Sequence, residues 1–156
     1  MIDLDEFLNS TGNVLEHKAK ELFDSCGLSC QNNLNQLRLA EIDPTGSHGV
    51  DDHIEIDFVI PVTPFCIIGE ITSRSNSSEV KRKFTKFRRY FDLLRNINWG
   101  KGFLDTLGIR AHESWKFNGI NDFKGIFITT KLEKVDVDLP YVENIACLYK
   151  SDARIW

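Results

Sequence analysis

The sequence predicts an α/β fold, a mixed central sheet flanked by helices, and three observations carry that expectation. Apolar residues recur at helical spacing over residues 13–26 and again from Ser78 to Asn96, with strand-like runs between and after these segments. The resulting order of helix, three strands, helix, strand, strand forces a return connection through a helix, and hence some parallel pairing. Finally, 42% apolar residues and 11 Phe in 156 positions supply a core for one domain spanning 1–156.

The first helix rests on Val14, Leu15, Ala19, Leu22, Phe23 and Cys26 at three- and four-residue steps, with Gly27 where a helix end takes positive φ. Asp3 to Leu8 reads as a separate helical turn ahead of Gly12. Gln36 to Ile42 alternates as a first strand, followed by a loop dense in turn residues from Asp43 to Asp52. His53 to Ile60 is the second strand and Phe65 to Thr72 the third, with Pro61 and Pro64 bracketing the turn between them. In the long helix, Val80, Phe84, Phe87, Phe91 and Leu94 fall within an arc of about 80°, a stripe that faces a core. Lys83 and Tyr90 border the stripe on one side and Lys81, Arg88 and Arg95 on the other, while Arg82, Lys86 and Arg89 point outward. A short helix over Gly102–Leu107 and strands over Phe123–Thr130 and Asn144–Lys150 complete the reading.

The charge is unevenly placed. The chain carries a net −4, yet Arg74 to Arg95 holds eight basic and two acidic residues, which leaves −10 for the remainder. Such a stripe is an electrostatic footprint for a polyanion or, equally, a solvated helix face. The strands hold acidic residues where apolar ones are usual. Alternation sets Glu55 and Asp57 on one face of the second strand, and Glu70 and Thr72 on one face of the third. If these strands pair as a hairpin, a carboxylate from each meets near the sheet centre, where the two repel and lose solvation unless a cation neutralises them. Mg²⁺ or Mn²⁺, bound by carboxylates, a backbone carbonyl and waters, does this. The alternative is a solvent-facing strand with ordinary polar residues.

These residues in this order resemble the PD-(D/E)xK nuclease superfamily, whose restriction-endonuclease-like core runs αβββαβ. Asp57 matches the motif Asp and Glu70 the (D/E); Glu16, Ala19, Leu22 and Gly27 match the helical pattern that often precedes them. The resemblance covers residues 12 to 130. Residue 56 is Ile rather than Pro, and residue 72 is Thr where the motif has its catalytic Lys. Viral cap-snatching relatives supply that Lys from the following helix, which here offers Lys83 first and Lys81 or Lys86 as substitutes.

The resemblance implies a metal-dependent endonuclease hydrolysing phosphodiester bonds of DNA or RNA. Asp57 and Glu70, with the carbonyl of Ile71 and Glu16 through a water, are the implied ligands of Mg²⁺ or Mn²⁺. Lys83 and Thr72 are the implied holders of the attacking water, and Arg74, Lys81, Arg82, Lys86 and Arg89 the implied contacts to nucleic acid. A homodimer is one arrangement for cutting two strands. The rival expectation is the same fold with a lapsed site, a nucleic-acid or protein binding module, which Thr72 favours.

The other features point elsewhere. Cys26, Cys30, Cys66 and Cys147 read as reduced thiols, since no second ligand pair follows at zinc spacing. His48 and His53 flank Asp51 and Asp52 in the turn-rich loop, His17 lies about 100° around the helix from Glu16, and Trp99, Trp115 and Trp156 read as packing. No apolar run reaches the ~20 residues of a membrane span. The acidic start shows no secretory signal, which makes the cytoplasm the default location. The ending Ala-Arg-Ile-Trp leaves room for the chain to be a piece of a longer protein.

Overall fold

Five apolar side chains at helical spacing set the layering of the molecule. The computed structural model describes residues 3–28, 30–32, 37–38, 53–54, 56–111 and 118–155. In chain order the elements are α1 (Leu4–Asn9), α2 (Gly12–Ser25), β1 (Gln31–Asn32), β2 (Leu37–Arg38), β3 (His53–Ile54), β4 (Phe58–Val62) and β5 (Phe65–Thr72). They continue with α3 (Ser77–Leu94), α4 (Ile97–Ala111), β6 (Asp122–Thr129), β7 (Ile145–Leu148) and a closing 3-10 helix (Lys150–Ile155). The main sheet is mixed, in the order β1–β4–β5–β6–β7. β1, β4 and β5 are antiparallel neighbours; α3 and α4 then carry the chain back so that β6 lies parallel to β5 and β7 parallel to β6.

α3 lays Val80, Phe84, Phe87, Phe91 and Leu94 on the sheet, all buried, as the periodicity predicts. They meet Cys66, Ile68, Phe123 and Phe127, joined by Phe103 and Leu107 of α4. Phe84 stands edge-on to Phe127 with ring centroids 5.3 Å apart. The opposite face of the sheet is covered by α1 and α2, where Phe7, Leu15 and Ala19 pack on Phe58, Ile60, Ile71 and Ile128. Each fully buried Phe, Leu or Ile contributes roughly 1.5–3 kcal/mol. Gly69 permits close approach on this face: a Cβ there would lie 1.9 Å from Cζ of Phe58, its cross-strand partner.

The structure corrects several boundaries. The second strand is not continuous over His53–Ile60: His53–Ile54 pairs with Leu37–Arg38 in a separate two-stranded sheet, and the main-sheet strand begins only at Phe58 after a bend at Asp57. The first strand of the main sheet is Gln31–Asn32, not Gln36–Ile42. Pro61 lies inside β4 opposite Cys66, so Thr63 and the cis-linked Pro64 make the turn. The short helix expected over Gly102–Leu107 is longer, Ile97–Ala111, and β7 is shorter than Asn144–Lys150. Val14, expected on the apolar side of α2, is exposed, whereas Gly27 does take positive φ, +80°. Glu55, the Asp43–Asp52 loop with His48, and Trp115 and Trp156 lie outside the described residues. Trp99 packs against the α3 core. Among the described residues no helix is long and apolar enough to cross a membrane.

Candidate active site

The bend that leads into β4 places the carboxyl group of Asp57. The backbone N–H of Asp57 donates to the carbonyl of Gly69 (3.0 Å), and its Oδ2 accepts the N–H of Ile71 (2.8 Å). The side chain thus takes over a ladder position at the strand end and straddles Glu70. α2 brings Glu16 to the same cleft. Burial, reinforced by the Glu70 charge and the neighbouring Glu16 carboxyl, pushes Asp57 up to about 9 from 3.8. Its bond from Ile71 opposes the shift without cancelling it.

Glu70, opposite Asp57 and only partly exposed, receives a cation from the other layer. Lys83 Nζ lies 3.9 Å from Glu70 Oε1, with the two side chains 32% and 15% exposed. The stem of Lys83 leaves α3 at the border of the buried stripe, one residue before Phe84, so its ammonium reaches back over the sheet end. Thr72, two positions beyond Glu70, is buried and accepts the N–H of Arg74 at its hydroxyl (3.2 Å).

These groups line one cleft of about 620 Å³. Thr11, Gly12, Leu15 and Glu16 form one wall, Asp57, Glu70, Ile71 and Thr72 the floor, and Ser73 to Asn76 with Glu79 and Lys83 the other wall. Every residue named in the sequence as catalytic or metal-binding therefore lies in it. Of the basic residues expected to touch nucleic acid, only Arg74 lines the cleft. Lys81, Arg82 and Arg89 are exposed farther along α3, and Lys86 sits over the ring of Tyr90, 5.9 Å from its centroid. His17 points away, 3.6 Å from Glu21 and largely exposed.

Asn76 and Glu79 were not among the expected site residues. Asn76 accepts the N–H groups of Ser78 and Glu79 at 2.9 and 3.3 Å and so starts α3. The run Asn-Ser-Ser-Glu is a helix-start signature that would have placed both at the mouth of the third strand.

The donor set is oxygen only, which suits a hard divalent cation. Four acidic side chains, Glu16, Asp57, Glu70 and Glu79, face Arg74 and Lys83 in the cleft, and the upward shift of Asp57 reflects its burial and the negative charge beside it. On both counts the residues fit Mg²⁺ or Mn²⁺. Among the described residues, however, no three His, Cys, Asp or Glu side chains are drawn together as a preformed ligand cluster. No disulfide joins the cysteines: burial raises the thiols of Cys30 and Cys147 to about 12 and 11 and that of Cys66 further, while Cys26 is exposed.

A scan of protein-family models, a search of curated proteins and a search of solved structures found no match to the chain.

Proposed function

We propose that the protein is a divalent-metal-dependent nuclease that hydrolyses phosphodiester bonds of DNA or RNA, in the manner of the PD-(D/E)xK superfamily. The observation that carries this reading is Lys83 reaching Glu70 from the following helix, in a cleft that also holds Asp57 and Glu16. A lysine near the second motif carboxylate is what the motif demands, and residue 72 does not provide it. The antiparallel β1–β4–β5 trio, the helical return and the parallel β6 support the αβββαβ core.

Asp57 and Glu70 would hold Mg²⁺ or Mn²⁺, with Glu16 beside them. When bound, the ion lowers the pKa of a water and offsets charge on the phosphate. To hold the ion Asp57 would be ionised, its proton released to water, and its bond from Ile71 fixes the plane of the carboxyl group. The Lys83 ammonium, held beside Glu70, orients the attacking water and adds positive charge facing the phosphate. Leu15 and the half-buried floor limit the water around the carboxylates, which strengthens each of these interactions. The exposed basic residues of α3 supply a salt-sensitive approach path for the polymer.

The test is cleavage of plasmid, single-stranded DNA and structured RNA with Mn²⁺, Mg²⁺ or EDTA, using wild type and Asp57→Ala. Metal-dependent cutting lost in the variant supports the nuclease. Retention of nucleic acid without cutting in any lane supports instead a binding module on the same fold, the reading that Thr72 favours.

A further inference from the structure

Thr72 stands where the motif has its lysine, and its polar atoms are already committed. Its carbonyl accepts both the N–H of Thr130 (3.1 Å) and the Thr130 hydroxyl (3.4 Å), which ties the end of β5 to the end of β6. Its own hydroxyl accepts the N–H of Arg74, two residues on. A threonine bonded in this way ties the backbone two residues on to the strand end. The strand end is thus fixed on one side, and Arg74 is turned onto the cleft rim on the other.

The Arg74 side chain is held only loosely there. Its Nε lies 3.6 Å from Glu79 Oε2, with 61% of the Arg and 45% of the Glu side chain exposed. A pair at that separation in solvent is weak and easily exchanged. A guanidinium presents a planar fork of donors matched to phosphate oxygens, and a phosphodiester arriving at the cleft offers it a better partner than one distant carboxylate.

We propose that Thr72 is a positioning residue for Arg74, that Arg74 grips a backbone phosphate of the strand entering the cleft, and that Glu79 is its resting partner. This rests on the nuclease reading and deepens it. The lysine of the motif is then replaced by two residues: Lys83 faces the carboxylates, and Arg74, aimed by Thr72, faces the substrate.

The experiment is a binding titration of the full chain in EDTA, where no cutting occurs. It follows the anisotropy of labelled duplex DNA, single-stranded DNA and RNA oligonucleotides over a range of KCl. Arg74→Ala should lower the slope of log affinity against log salt by about 0.7–0.9, the loss of one phosphate contact. Thr72→Val should lower it by the same amount, the double variant no further, and Thr72→Ser should restore the wild-type slope. Glu79→Gln, which needs no change in the strand end, should tighten binding by freeing the guanidinium. An unchanged slope in Arg74→Ala overturns the proposal. A normal slope in folded Thr72→Val removes the positioning role, and unchanged or weaker binding by Glu79→Gln removes the resting partner. If wild type binds none of the three polymers, the nuclease reading itself falls.

Discussion

Replacing Asp57 by Asn removes a carboxyl whose pKa the fold raises while keeping its hydrogen bond from Ile71. The amide oxygen still accepts that N–H. In the wild type the group sits at about 9 in the folded protein against 3.8 for a free carboxyl. Between those limits the folded state binds a proton that the unfolded state has lost, so stability falls as pH rises. Each pH unit costs about 1.4 kcal/mol. From about pH 5.5 to 8, both inside the window, the wild type should lose about 3 kcal/mol through this group relative to the variant. For a chain of this length that is a difference of roughly 6–12 °C in melting temperature. Melting curves of the two proteins in EDTA at both pH values measure it, and taking the difference cancels groups they share. The variant should be the more stable protein at pH 8 and should bind no metal. A variant whose melting temperature falls in parallel with wild type would refute the raised pKa of Asp57.

Three further outcomes follow from the same geometry. Mn²⁺ at about a hundred times its Kd should add ~2.7 kcal/mol to the folded wild type, read as a melting shift that grows with pH as the Asp57 proton is displaced. A shift that is absent, or unchanged in Asp57→Asn, counts against the metal. Lys83→Ala should abolish cleavage with the Mn²⁺ melting shift largely retained, and Lys81→Ala should keep activity; the reverse pattern in cleavage assays would move the role along α3. Gly69→Ala should cost about 1–3 kcal/mol in urea unfolding, because its methyl overlaps the Phe58 ring. The cost should shrink in a Phe58→Leu background, and equal costs in both backgrounds would show that the ring is not the obstacle.

Helical periodicity was the most legible signal. The α3 stripe is buried residue for residue, and because a helix fixes every angle around its axis, the border position of Lys83 was legible with it. The strands were less so. The run from His53 to Phe58 alternates without interruption, yet the chain changes sheets within it, because alternation reports faces and is blind to a change of ladder partner. Gln31–Asn32 carries no apolar signal at all. The helical glycine at position 100 weakens the sequence case for α4 but has a packing reason: a Cβ there would meet the Leu94 carbonyl at 2.5 Å and the Phe123 ring at 2.8 Å. The bond from the Arg74 N–H to the Thr72 hydroxyl depends on a local backbone conformation that residue types alone do not specify.

The sheet divides the apolar interior in two, and the cleft draws on both halves. Lys83 is anchored through Val80 and Phe84 on one side; Glu16 is anchored through Leu15 and Ala19 on the other. Substitutions that repack one half can therefore shift the lysine or the helical acid separately, leaving the opposite group in place. A lineage carrying this architecture can move the lysine and the helical acid along independent routes, with Asp57 at the bend as the position where the two routes meet.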